Sequence, residues 1–339
     1  MHWEYWPFNV IYGPIYIYWF LLCIRTRSLF FFNTSNPTIK NGGFLLESKK
    51  EIYDIIPHDY YPKTLFFKAG ADEKILVHAF QSAELKFPLA GKPDIGGRGM
   101  GVKKLNTITE VTEYAKKSKV DFLLQQFVLY ENEVGIFYYR YPGEMHGKIS
   151  GIVGKEFLTV VGDGVSTIEE LLRQNKRFIL QIAALKKTHN DELNKVLKKD
   201  ERHLLVPYGN HARGAKFVDL SHLADDKLVQ TIDNLCKEIP GFYFGRMDIR
   251  FRSWDELKQG KNFSIIELNG AGSEPTHIYD PKHSIFFAWK EIIRHWKILN
   301  RISLLNHRSK KIPFMGFSSG MKMLRENSAY VKLISDNNI

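Results

Sequence analysis

The stretch "FGRMDIRFRSWDELKQGKNFSIIELNG", Phe244 to Gly270, sets charged residues into two apolar runs. "YFGRMDIRF" and "FSIIELNG" read as two strands, and the polar loop between them is short enough to bring them side by side. Asp248, Glu267 and Asn269 are then hard oxygen donors on neighbouring strands. Glu267 and Asn269 are two residues apart, so they project from one face, and Arg246 shares a face with Asp248 for the same reason. Acids set among "FYF" and "SII" are costly to bury without a cation, and oxygen-only ligation suits Mg²⁺. The plain alternative is an ion-pair network, with Asp248 on Arg246 or Arg250 and Glu267 on a lysine.

Upstream, "GKPDIGGRGMGV", Gly91 to Val102, holds five glycines and one lysine. A Walker loop would need Ser or Thr after the lysine, and Pro93 follows Lys92, while the first glycine of that motif is replaced by Lys86. The glycines at 96, 97, 99 and 101 do not have the spacing of a dinucleotide fingerprint running into a helix. What remains is a glycine loop after a strand-borne lysine. Its backbone N–H groups can approach phosphate oxygens closely, and the lysine adds a point charge. A surface hairpin with an incidental lysine is the other reading.

In their order and spacing, these stretches resemble an ATP-grasp protein of the D-alanine:D-alanine ligase and cyanophycin synthetase-like branch, over about Glu47 to Pro275. "KPDIGGRGMGV" is similar to the strand lysine and mobile loop that cover nucleotide phosphates, which implies Lys92, Gly96, Gly97 and Gly99 as ATP contacts. "LLQQFVLYENEVG" resembles the linker along adenine. It implies Gln126 and the backbone of Phe127 and Val128 at the base, with Glu133 at the ribose hydroxyls. "VVGDGVSTIEEL" is similar to a segment of the cyanophycin-type members. "GRMDIRF" and "IIELNG" resemble the metal strands, which implies Asp248, Glu267 and Asn269 as ligands of two Mg²⁺ ions, with Mn²⁺ able to stand in. Arg246 and Lys92 are the implied catalytic cations.

The implied fold is α/β of the α+β kind, with two subdomains clamping ATP behind a shortened apolar N-terminal region. The implied activity is ADP-forming ligation of a carboxylate to an amine or other nucleophile through an acyl phosphate, on small-molecule or lipid-linked substrates. An ATP-grasp kinase would carry the same metal residues, and a non-catalytic basic membrane-binding protein is the reading from another class. Two departures stand out. "NGAGSEPTHIYDP" replaces the Thr-x-Pro-Gly turn of D-alanine ligases, and the N-terminal domain is reduced to about 45 residues. A first phosphate-contacting lysine is expected upstream of Lys92, and Lys49, Lys50 and Lys68 all qualify. "GNHARGAKF" offers His211, Arg213 and Lys216 for the substrate, and Glu274 and His277 in the divergent loop are candidates for the nucleophile.

The 339 residues are 44% hydrophobic, enough for a real core. Expected divisions are 1–45 (apolar, aromatic), 46–128 (lid), 129–284 (catalytic) and 285–339 (basic tail). Helices are expected at "ESKKEIYDII", "DEKILVHAFQSAEL", "ITEVTEYAKKS", Ile182 to Asp200 and "DDKLVQTIDNLCKEI", and a capping box at Ser166 and Glu169. The strands between them should pair antiparallel. Cys23 and Cys236 make neither a CxxC motif nor a disulfide framework, so the cytoplasm is the expected compartment.

The net charge of +11 is concentrated, since residues 285–339 carry ten Lys/Arg against three acids. That distribution argues against a nucleic-acid surface, and no nucleic-acid partner is expected. The tail from Phe286 has the pattern of a basic amphipathic helix, to dock on the protein or lie on an anionic membrane. "YWPFNVIYGPIYIYWFLLCI", Tyr5 to Ile24, has twenty residues without a charge. Buried packing, interfacial association and a span all remain open for it, with Asn9, Gly13-Pro14 and the Tyr/Trp content against a span. The sequence leaves the oligomeric state open.

Overall fold

Ser48, Asp72, Thr107, Thr167, Asp225, Ser253 and Ser284 each accept a hydrogen bond from a backbone N–H two or three residues on, and each opens a helix. The structure is a computed structural model that describes residues 3–97, 99–175, 177–206, 209 and 214–336, with side chains except at 188–190. It falls into two units, Met1–Val153 with Asp219–Ile339, and Gly154–Val218.

The chain begins with α1 (Phe8–Tyr12), α2 (Tyr16–Thr26) and α3 (Lys49–Ile55). Then come β1 (Thr64–Phe67), α4 (Glu73–Ser82), β2 (Leu89–Pro93), β3 (Lys103–Leu105), α5 (Ile108–Lys117), β4 (Phe122–Gln126), β5 (Asn132–Tyr139) and β6 (Lys148–Glu156). It passes through the smaller unit as β7 (Leu158–Val161), α6 (Ile168–Gln174), α7 (Ile179–Leu193) and β8 (Arg202–Val206), returning along β9 (Lys216–Asp219). It ends with α8 (Asp226–Glu238), β10 (Phe244–Phe251), α9 (Trp254–Lys258), β11 (Phe263–Asn269), α10 (Ile285–Lys310) and α11 (Phe317–Ser335).

This is a mixed α+β fold with antiparallel pairing, as the sequence predicts. The first sheet has the order β1-β4-β2-β3, and Leu76 of α4 and Val111 and Tyr114 of α5 complete its core. The second has the order β11-β10-β5-β6-β9, with β10 antiparallel to both neighbours. Period two sorts β5: Val134, Ile136 and Tyr138 join Leu228, Ile232 and Leu235 of α8 in one cluster, and Phe137 joins another.

That second cluster contains Leu22, Phe31, Phe32, Phe244, Ile298, Leu299 and Ile302, so the N-terminal region and the tail are built onto the second sheet. Phe31, Phe137 and Phe244 are 0%, 1% and 2% exposed. Each such burial is worth about 2–3 kcal/mol, which makes both terminal regions part of the fold. In the smaller unit β7 and β8 pair antiparallel, and Ile168, Leu172, Ile182 and Leu193 of α6 and α7 share their core.

Three local expectations shift. Ser166 donates its hydroxyl to Asp163 Oδ2 at 2.6 Å, so the capping box forms one residue on, between Thr167 and Glu170. The lysine-rich helix runs Ile179–Leu193, earlier than its charge pattern suggests. The loop between the two metal-type strands holds α9, capped by Ser253.

"NGG", Asn41 to Gly43, reads as loop and is a clasp. Gly42 and Gly43 have φ of +67° and +75°, and their carbonyls accept from Ala271 N at 2.9 Å and Gly272 N at 2.8 Å, just beyond β11. A Cβ on Gly43 would lie 2.7 Å from the Gly270 Cα. Gly43→Ala should therefore lose roughly 2 kcal/mol or more of stability. Gly13→Ala, where nothing lies within 4 Å, should be near neutral. Urea midpoints compare the two, and equal midpoints would rule the clasp out.

Candidate active site

The face of β10 and β11 opposite α8 carries four polar side chains. Arg246 lies across from Asn269 and Asp248 across from Glu267, and a register shift follows directly after Asp248. Antiparallel partners point to the same side, so all four converge. Arg246 makes a fork on Asp248, Nε to Oδ1 at 2.8 Å and Nη2 to Oδ2 at 3.3 Å, and Nη1 donates to the Glu274 carbonyl at 3.3 Å. Burial works against the guanidinium charge, and Asp248, Glu267 and Glu274 outweigh it, raising its pKa above the ordinary value. Room for the fork comes from Gly135 on β5, across from Asp248. A Cβ there would sit 2.8 Å from Val153 Cγ1, 3.0 Å from Asp248 Oδ1 and 3.1 Å from Arg246 Cδ.

Two carboxylates and an amide oxygen on one face fit Mg²⁺ by donor chemistry. Asn269 adds a structural sign, because its Nδ2 is buried without a hydrogen-bond partner. Such an orphan calls for an explanation, and a ligand oxygen supplies one. Among the described residues no group of three or more His, Cys, Asp and Glu side chains gathers that could hold a metal ion.

Lys92 comes from the other sheet and is 7% exposed. Its Nζ donates to Tyr53 Oη at 2.9 Å, Gln125 Oε1 at 2.8 Å and the Ile266 carbonyl at 3.1 Å. The last of these is one residue from Glu267. Burial pulls the Lys92 pKa down to about 8, against the attraction of Glu267. Of the upstream lysines, Lys49 reaches the glycine loop, with Nζ 2.6 Å from the Gly96 carbonyl, while Lys50 pairs with Asp54 and Lys68 with Asp121. Asp94 ties the loop to α3 by accepting from Ser48 Oγ at 3.0 Å and Lys50 N at 2.8 Å. The far end of α11 packs on the same loop. A Cβ on Gly96 would meet Ile334 Cδ1 at 3.3 Å, and Tyr330 is hydrogen-bonded to the Ile95 backbone.

The adenine-type linker is internally tied. Gln126 accepts from Lys86 N at 2.9 Å and donates to the Lys86 carbonyl at 2.8 Å, and the Phe127 ring lies under Lys104 and Arg250. Arg250 Nη1 donates to the Val128 carbonyl at 3.3 Å, and its Nε to Glu133 Oε2 at 3.0 Å. Glu133 is 5% exposed, so the carboxylate assigned to ribose is held in a buried ion pair.

The divergent loop meets the N-terminal region. Glu274 Oε1 accepts from Tyr12 Oη at 2.6 Å and Tyr279 Oη at 3.2 Å. His277 is 3% exposed, with Nε2 3.3 Å from Glu291 Oε2. His211 and Arg213 lie outside the described residues. Lys216 pairs with Glu156 at 3.0 Å. Sequence reasoning missed Tyr12, Tyr53, Gln125 and Gly135. Gly135 alone had a signal, a glycine inside an apolar strand, which marks a close approach.

No family model matches the sequence, and neither does any curated protein. Among solved structures the matches include a synthetase and two ligases. A bifunctional glutathione synthetase from Pasteurella multocida matches at 15% identity, over 76% of this chain and 35% of that one, with a TM-score of 0.39. VanG D-Ala:D-Ser ligase from Enterococcus faecalis matches at 13% identity, over 76% and 61%, with a TM-score of 0.41. D-alanine–D-alanine ligase from Bacillus anthracis matches at 13%, over 78% and 68%, with a TM-score of 0.42. The chain thus spans 35% and 61% of the length of the first two.

The lowered Lys92 pKa gives two opposite pH trends. From about 8 up to the ordinary lysine value of about 10.4 the unfolded chain keeps a proton that the folded chain has released, so stability gains as pH rises through that window. A phosphate bound at Lys92 would need the charged ammonium, so affinity for a nucleotide phosphate there would fall by up to about tenfold per pH unit above about 8. Lys92→Met should remove both slopes in urea melts and titration calorimetry at pH 7.5 and 9.5; identical slopes in the two proteins would overturn the assignment.

Proposed function

We propose that this chain is an ATP- and Mg²⁺-dependent, ADP-forming ligase that joins a small-molecule carboxylate to an amine through an acyl phosphate. One observation carries the reading. The lysine that precedes the glycine loop reaches the Ile266 carbonyl at 3.1 Å, beside Glu267, so a phosphate cation and the metal-type acids share one site.

In this reading Asp248, Glu267 and Asn269 hold Mg²⁺, and the chemistry that the bound ion supplies is neutralisation of phosphate charge. Lys92 exchanges the Ile266 carbonyl for a phosphate oxygen, and Lys49 adds a second charge where it now meets Gly96. Gly96, Gly97 and Gly99 bring backbone N–H groups onto the same phosphates. Gln126, Phe127 and Val128 line the base, and Glu133, if it takes the ribose, shares its carboxylate with Arg250. Arg246 steadies the transferred phosphoryl group, which leaves ADP as the carboxylate oxygen bonds to phosphorus. The amine then attacks the acyl carbon, phosphate leaves, and the amine proton passes to solvent base. Glu274, oriented by Tyr12 and Tyr279, is the group we assign to the incoming amine. The buried, free thiols of Cys23 and Cys236 are in keeping with a cytoplasmic enzyme.

An ADP-release screen over pairs of candidate acids and amines tests this. Glu267→Ala should lose roughly hundredfold or more of the rate found. With hydroxylamine as nucleophile, the active carboxylate should yield a hydroxamate. ADP release without hydroxamate means transfer to a hydroxyl and sinks the ligase reading; activity surviving in Glu267→Ala sinks the metal assignment.

A further inference from the structure

On α2 the side chains facing away from the protein are apolar. Ile17, Phe20, Leu21 and Ile24 are 72%, 56%, 56% and 73% exposed, and their spacing of three, one and three residues is one helical face. Phe8 and Val10 of α1 and Leu29 beyond α2 are exposed as well. The opposite face is docked: Leu22, Cys23 and Thr26 are buried, and Trp296 of α10 stacks against Tyr16 and meets Trp19 edge-on.

Phe8–Thr26 is the one stretch among the described residues long and apolar enough to cross a membrane. Docking along one side, with the interruption at Gly13-Pro14, denies it the all-round lipid contact of a span. The rim of the exposed face is basic. Arg25 and Arg27 are exposed at the end of α2, and Lys297, exposed on α10, lies over the Tyr18 ring at 5.4 Å. Lys290 and Arg301 extend that basic side along α10. From residue 5 to residue 46 there is no acidic residue. An apolar face bounded by aromatic rings and cations complements an anionic lipid surface.

We infer that the protein docks on anionic membranes, with α2 lying in the interface, Ile17, Phe20, Leu21 and Ile24 entering the acyl boundary, and Arg25, Arg27 and Lys297 on the headgroups. This holds whatever reaction the site performs. Vesicle flotation of the full chain tests it, comparing phosphatidylcholine alone with vesicles containing about 30 mol % phosphatidylglycerol. The wild type should float with the anionic vesicles. Ile17→Ser/Phe20→Ser/Ile24→Ser should lower the partition coefficient by roughly tenfold or more, with an unchanged thermal melt because these side chains are exposed. Arg25→Glu/Arg27→Glu/Lys297→Glu should lose the gain from anionic lipid and its salt dependence. Wild type that stays with the lipid-free fraction overturns the proposal. So does a dimer in sedimentation velocity that the serine variant dissociates while neither protein floats, since a second copy then covers this face.

Discussion

A lysine ammonium taken out of water must be surrounded by oxygen, and the site of this protein is arranged around that demand at Lys92. Leaving such a charge unmatched would cost several kcal/mol. Its three acceptors come from α3, β4 and β11, at Tyr53, Gln125 and the Ile266 carbonyl. One charge therefore ties the first sheet, the helix before it and the metal-type strand of the second sheet. Tyr53 repeats the tie by donating to the same Ile266 carbonyl at 2.7 Å. Two residues after Lys92, Asp94 fixes the start of α3, which sets Lys49 against the glycine loop.

The strand-borne part of this site was legible because period two is a strong rule. Residues two apart share a face, and an antiparallel partner repeats the pattern, so Arg246, Asp248, Glu267 and Asn269 could be put together from spacing alone. The two readings of those acids are not exclusive: Asp248 is forked by Arg246 while Glu267 lies beside Lys92. Choosing among the upstream lysines was beyond the sequence. Lys49 and Lys50 are adjacent and alike, and the helical turn after Ser48 sends one to Gly96 and the other to Asp54. The capping box was legible to within one residue, and it moved because Asp163 competes for Ser166.

The aromatic N-terminus resisted reading for a different reason. Amphipathic pattern separates apolar from polar positions, and from Tyr5 to Ile24 nearly every position is apolar. Only the partner distinguishes the two sides of α2: Trp296, Ile298 and Leu299 of α10 cover one, and no described residue covers Ile17 or Ile24. An all-round apolar helix is expected to be wholly buried or in a membrane, and this one is buried along one side and exposed along the other.

The N-terminal region and the loop "NGAGSEPTHIYDP" are packed on one another. Gly42 and Gly43 hold the backbone of Ala271 and Gly272, and Trp3 stacks on Tyr279. Tyr12 donates to Glu274, whose carbonyl accepts from Arg246. This loop is thus anchored by residues more than two hundred positions away, a pairing that no local pattern could announce. The same N-terminal region presents Ile17 and Ile24 outward and Tyr12 inward. Between the outer face of α2 and the guanidinium above Asp248 lie the turn at Gly13–Ile15, Tyr12 and Glu274, the last two joined to each other and to Arg246 by two hydrogen bonds.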